Sequence, residues 1–189
     1  MKFYSIVGEG DLDVAVGHRL VIEAGFDVQH RYPTRGKSNL DSKIKAYNAA
    51  AKHGPWLVLR DLNSANCAPE LVQQLLPTQS AGMRLRIAVR EIESWLLADS
   101  KGFAKLLGVA EAAIPVEPDN LQSPKEVVLR LAAHGRNRAI KRELLPARGT
   151  SARVGPGYNP RLISFVQHAW DLTRARERSP SLDGCCRAL

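Results

Sequence analysis

Apolar positions in the first hundred residues alternate between two periods. Phe3-Tyr4-Ser5-Ile6-Val7 is a short β-rich run that stops at Gly8 and Gly10. From Asp11 to Ala24 the spacing becomes four, with Leu12, Val16, Leu20 and Ala24 on one side, which predicts a helix closed by Gly25. Phe26 to Tyr32 predicts a second strand ending at Pro33, and Asn39 to Lys52 a second helix carrying Leu40, Ile44, Tyr47 and Ala51 on one face. After the break at Gly54-Pro55, Trp56-Leu57-Val58-Leu59 is apolar without interruption, as in a strand covered on both faces. A short helix over Pro69 to Leu76 and a fourth strand over Leu85 to Val89 complete the series. Strands separated by helices predict βαβ units: an α/β fold with a Rossmann-like, mostly parallel sheet of about four strands and helices on both faces.

Beyond Glu91 the strand signal disappears. Ile92 to Leu97, Phe103 to Leu107, Lys125 to Ala133 and Leu162 to Arg176 read as helices punctuated by prolines. Ser123-Pro124-Lys125-Glu126 is a helix start, with Ser as N-cap, Pro in the first position and Glu as capping-box partner. Gly149 to Pro160 reads as a loop. The expected organisation is an α/β core over residues 1–100 and a helical extension over 101–189 packed on it, or one continuous domain.

Charge sharpens this division. The 189-residue chain has a formal net charge of +8, but residues 1–100 carry 12 basic and 11 acidic side chains, and residues 101–189 carry 15 and 8. The densest basic stretch holds Arg136, Arg138, Lys141, Arg142, Arg148 and Arg153 against Glu143 alone. Such a half suits an anionic partner, most simply nucleic acid, or else is a solvated face. Arg35 and Lys37 are further phosphate-contact candidates in a glycine-containing segment. No apolar run approaches membrane-helix length, and Glu9 and Asp11 interrupt any signal-peptide core, so a cytoplasmic, membrane-free protein is expected. Cys67, Cys185 and Cys186 have no zinc spacing and fit a reducing compartment, as packing residues or parts of a tail.

The chemistry-bearing pattern lies at the strand ends. Glu9 follows the first strand, with Asp11 and Asp13 beside it; Asp61 follows the third; Glu91 and Glu93 follow the fourth. In a parallel sheet these ends share one edge, where converging carboxylates repel one another unless a cation separates them. Hard oxygen ligands suit Mg²⁺ or Mn²⁺, and such a site suits phosphodiester chemistry. Plainer roles also exist. Asp11 is placed to cap the following helix, Glu91 and Glu93 to meet a helix macrodipole, and Asp61 to bond its own turn.

Other motifs carry less. Gly36-Lys37-Ser38 has the end of a P-loop, but the required first glycine is Arg31, and Gly8-x-Gly10 lacks a third glycine because position 13 is Asp13. The five histidines form no HExxH, and no GxSxG elbow is present. Trp56, Trp95 and Trp170 read as core residues. Tyr158, in the glycine/proline loop, is the foremost aromatic for a ligand contact or else anchors that loop.

Glu9-Gly10-Asp11-Leu12-Asp13 resembles the EGxxD opening of Toprim domains, the catalytic module of topoisomerases, primases and OLD-type nucleases. Arg60-Asp61-Leu62-Asn63 resembles the later DxD motif, with Asn63 in place of its second acid. The whole chain resembles a bacterial family of uncharacterised Toprim-related proteins through Val89-Arg90-Glu91-Ile92-Glu93-Ser94-Trp95-Leu96-Leu97-Ala98-Asp99, Ser123 to Glu126, Gly155 to Tyr158, Trp170-Asp171 and Ser179 to Leu182. The resemblance implies a Toprim core with Mg²⁺ or Mn²⁺ at the acids. Glu9 would be ligand or general acid/base and Asp61 the main ligand. Asn63 would be a ligand through its amide oxygen, and Glu91 or Glu93 would complete the set. It also implies nuclease activity, and an ATPase partner as in relatives encoded beside antiviral-defence ATPases. Because Asn63 removes one charge, a catalytic site and a degenerate site serving a binding or regulatory subunit both stay open.

Overall fold

The computed structural model describes residues 3–189. Four strands, β1 (Phe3–Gly8), β2 (Asp27–Pro33), β3 (Trp56–Asp61) and β4 (Met83–Ala88), form one sheet in the order β2-β1-β3-β4. Every pairing is parallel. Between them run α1 (Asp11–Glu23), α2 (Lys37–Ala50) and α3 (Ala68–Leu75). The two faces follow from strand alternation. Ile6, Leu57 and Leu59 meet Val16 and Leu20 of α1, whereas Val7 and Val58 meet Leu40 and Ile44 of α2 and Leu71 of α3. The α/β expectation is therefore met, with helices on both faces. Chain direction across the sheet reverses after β2, and this puts the topological switch point between the adjacent strands β1 and β3.

The remaining chain is helical: α4 (Ile92–Ala98), α5 (Ser100–Leu107), α6 (Pro124–His134), α7 (Arg138–Leu144), α8 (Tyr158–His168), α9 (Leu172–Arg178) and α10 (Pro180–Cys186), with short 3₁₀ turns at Glu111–Ala113 and Pro118–Asn120. These helices share one apolar core with the α1 face of the sheet, running from Tyr4 and Ile6 through Trp95 and Phe103 to Trp170 and Cys185. Cys185 is accordingly a packed residue.

Several local expectations are corrected. The single helix expected over Leu162 to Arg176 is two. It breaks at Ala169–Asp171, where the Asp171 side chain accepts from the Arg174 backbone N–H and starts α9. α7 and α10 were not expected. Their N-cap residues, Asn137 and Ser179, each accept a backbone N–H of the first turn. Tyr158 begins α8 rather than lying in a loop. Asp61 is the last residue of β3 rather than one beyond it. Asp11 does not cap α1; Asp13 accepts the Gly10 N–H instead (2.9 Å). Ser123 makes no capping bond on α6.

Polar pairing is dense where helices meet. Asp99, fully buried, accepts from the backbone N–H groups of Gly102 (3.1 Å) and Asp171 (2.9 Å) and from Arg174 Nε (2.9 Å). Trp95 donates to Ser181 Oγ (2.7 Å), and Trp170 donates to the Trp95 carbonyl (3.3 Å). Replacing Trp170 by Ala removes a buried ring and that bond together. We expect a loss of about 3–5 kcal/mol, read as a lowered urea midpoint at unchanged slope.

Candidate active site

The site is assembled at the switch point. Glu9 follows β1 directly and lies beside the end of β3. Its Oε1 accepts from the Asp61 backbone N–H (3.0 Å) and from Arg60 Nη1 (3.1 Å). Arg60 is buried in β3 and also clasps Asp41 of α2 through Nε (2.9 Å) and Nη2 (3.0 Å). The Asp41–Arg60–Glu9 chain of charges fixes both α2 and the Glu9 carboxylate against the sheet.

Asp13 reaches the same edge from the first turn of α1. A Cβ on Gly8 would fall 2.5 Å from Asp13 Cβ, so only glycine at the end of β1 admits this approach. The Asp13 Oδ2 is held by Gly10, while its Oδ1 is buried without a partner. Asp61 Oδ1 is likewise buried and unpaired. Glu93, in the first turn of α4, accepts from the Tyr158 hydroxyl (3.1 Å) and pairs with Lys125 Nζ (3.4 Å) through Oε1. Its Oε2 has no partner. Glu91 precedes α4 and accepts the Lys125 backbone N–H (2.8 Å), so it caps α6 in place of Ser123. Asn63 lies at φ 52°, its N–H donating to the Arg90 carbonyl (2.9 Å).

Electrostatics follow from burial. Asp13 is pushed up to about 7, first by desolvation and then by the charges of Glu9 and Glu93. Asp61 is raised well above the ordinary carboxylate range by burial, then by Asp13, Glu93, Glu9 and Glu91. Burial also raises Glu93, against the opposing pull of Lys125. Burial would lower the Lys125 ammonium, but the charges of Glu93, Glu91 and Asp61 together raise it. Five carboxylates thus share one field, and three oxygens in it lack donors. Those oxygens and their hard-donor chemistry fit a divalent cation. Among the described residues, however, no three His, Cys, Asp or Glu side chains already stand in a metal-holding group.

Comparison with protein-family models, curated proteins and solved structures finds no match to this chain.

An open cleft of about 740 Å³ is lined by Lys37, Asn63, Asn66, Arg90, Glu91 and Ser123; of the five acids only Glu91 lines it. The structure thus brings Lys37 to the acidic edge. Arg35 is exposed in the β2–α2 loop at φ 60°. Arg136, Arg138, Lys141, Arg142, Arg148 and Arg153 do not line this cleft. All but the half-buried Lys141 are exposed, and none makes an ion pair among the described residues. Sequence reasoning missed Lys125 and Arg60 as site residues. Arg60 adjoins Asp61 and carried that signal; Lys125 sat inside a motif read only as a helix start.

The pKa shifts have a signed consequence. The native state keeps the Asp13 proton up to about pH 7, whereas the unfolded state releases it near the ordinary value of 3.8. Without divalent cation, stability is therefore greatest below pH 4 as far as this group is concerned and falls through the window from 4 to 7, by about 1.4 kcal/mol per unit. Thermal melts in EDTA should show this decline. Millimolar Mn²⁺ or Mg²⁺ should restore the melting temperature at pH 8 and change little at pH 5, and Asp13→Asn should flatten the EDTA profile.

Proposed function

We propose that the protein is a divalent-metal-dependent nuclease of Toprim type that cleaves phosphodiester bonds in nucleic acid. The observation supporting this most strongly is the trio of buried, unpartnered oxygens, Asp13 Oδ1, Asp61 Oδ1 and Glu93 Oε2, in an acidic group at the β1/β3 switch point. Glu91 of the same acidic group lines the open cleft, from which a phosphate chain would approach a cation held by these acids. Asp61, Asp13, Glu93 and Glu9 would hold Mg²⁺ or Mn²⁺, with Asn63 as a neutral donor at the rim. When bound, the ion neutralises phosphate charge and lowers the pKa of water.

The chain's own residues divide the remaining work. Arg60 orients Glu9, leaving its second oxygen for a proton or a ligand. Lys125 and Tyr158 hold Glu93 by one oxygen and leave the other toward the acidic group. Lys37 supplies positive charge at the cleft rim for a phosphate of the strand. Glu9 accepts a proton or a metal bond, and the general-base role is one that such a partly buried carboxylate with a free oxygen can fill.

A second reading has one specific observation in its favour. Asn63 stands where an acid would complete the motif, and no three-donor group is preformed among the described residues. This supports a non-catalytic nucleic-acid-binding or regulatory subunit; an ATPase as its partner rests on the family resemblance alone.

Cleavage assays with Mn²⁺ and Mg²⁺ on single- and double-stranded DNA and RNA separate the two readings. For the nuclease, Asp61→Asn and Glu9→Gln should each lower cleavage by about 10²–10⁴-fold while the fold is retained. Undiminished cleavage in both variants would overturn the site. Absence of both cleavage and calorimetric Mn²⁺ binding would favour the subunit reading.

A further inference from the structure

A second cavity lies among the C-terminal helices and is lined by none of the acids of the proposed nuclease site. It has a volume of about 600 Å³ and opens between α5, α7, α8 and α9. Lys101, Lys105, Arg161 and Arg174 stand around it, and Leu106, Ile140 and Phe165 form an apolar floor. No acidic side chain lines it. The size lies within the range of small-molecule sites, which combine a mostly apolar surface with a few converging polar groups.

The two arginines are held in place by carboxylates that do not line the cavity. Glu143 grips Arg161 through Nε (2.5 Å) and Nη2 (2.7 Å). Asp99 and Asp171 grip Arg174, Asp99 at 2.9 Å from both Nε and Nη2, and Asp171 at 2.5 Å from Nη1. A guanidinium has five N–H groups, so three remain on Arg161 and two on Arg174, in orientations already fixed. The three carboxylates more than offset the two arginines, so the group keeps a net of one positive charge, carried by Lys101 and Lys105. These lysines lie one turn apart on α5, are exposed, and make no ion pair among the described residues. α7 supplies Ile140 and its N-cap Asn137 to the lining, whereas Arg138, Lys141 and Arg142 of the same helix line neither this cavity nor the acidic cleft.

We propose that this cavity binds a nucleoside phosphate, its base lying on the Leu106–Ile140–Phe165 floor and its phosphates on Lys101 and Lys105 with the free donors of Arg161 and Arg174. Carboxylates paired with the arginines set the orientation of the donors, and the lysines set the sign of the charge. A purely inorganic anion would leave the apolar floor uncovered, and an apolar ligand would leave the cationic rim unpaired. The shared chemistry is a nucleotide, whether free or at the end of a strand. The inference does not depend on metal at the acids.

The full-length protein in EDTA is titrated with fluorescent mant-ADP, then competed with unlabelled ADP, inorganic pyrophosphate and a short single-stranded oligonucleotide. Saturable binding is expected, weakened at least tenfold in the surface double variant Lys101→Gln/Lys105→Gln. It should be unchanged in Asp61→Asn and competed more weakly by pyrophosphate than by ADP. Competition by the oligonucleotide with the same lysine dependence identifies a strand end as the source; competition by ADP alone identifies the free nucleotide. Absence of saturable binding, or equal affinity in the folded double variant, would overturn the proposal. Loss of binding in Asp61→Asn would place the nucleotide at the acidic site instead and overturn it as well. Nuclease activity does not enter any of these readings, so its absence leaves this test intact.

Discussion

Burying a carboxylate without a donor or a counter-charge is among the more expensive things a protein does, and the molecule does it in two different ways. Asp99 is fully buried, and two backbone N–H groups and a guanidinium compensate it. Asp13 and Glu93 are buried and Asp61 partly so, and each has one buried oxygen without a partner. The same chain therefore satisfies a buried acid where it serves packing and leaves three unsatisfied at the sheet's carboxyl edge. Neutralisation by protonation is one resolution, and the raised titration of Asp13 to about 7 expresses it. A cation, as proposed above, is the other.

The helical half belongs to this arrangement. Tyr158 begins α8 and reaches Glu93, Lys125 in α6 pairs with Glu93, and Glu91 caps α6. Glu93 is consequently fixed by residues from two helices beyond residue 100, while Asp13 and Asp61 are fixed by the sheet and α1. The apolar core shared by the α1 face of the sheet and the C-terminal helices makes these two sources rigid with respect to each other. A site of this kind depends on long-range packing, and a change as distant as the Trp170–Trp95 contact reaches it through α4.

Much of the α/β portion was legible in the sequence because its signals are local. The uninterrupted Trp56–Leu59 run marked a central strand, and that strand is central, with Leu57, Val58 and Leu59 buried. The acids at strand ends were legible for the same reason: parallel topology alone determines which edge they occupy. What escaped was tertiary. Asp11 and Asp13 are the same residue type two positions apart; the phase of α1 turns Asp13 inward and leaves Asp11 exposed, and the missing Cβ of Gly8 makes room for it. The break at Ala169–Asp171 escaped because an Asp N-cap carries no helix-breaking residue with it. Lys125 escaped because its partner lies 32 residues away in sequence. The basic stretch was visible as composition, but composition could not say that α7 would face a cavity with an apolar floor.

That last separation bears on how charge is used in the molecule. A positive surface placed against five carboxylates would be neutralised by them, and neither would attract a ligand. Here the acids are met by only as much positive charge as fixes them, Arg60 on Glu9 and Lys125 on Glu93, and each of these two acids retains an oxygen outside the pair. The bulk of the excess charge stands elsewhere, on helices where acids pair with arginines and do not line the cavity. Two sites of opposite sign can coexist in 189 residues only if the fold keeps their fields apart. With a Debye length of about 8 Å at physiological salt, exposed charges farther apart than that are largely screened from one another.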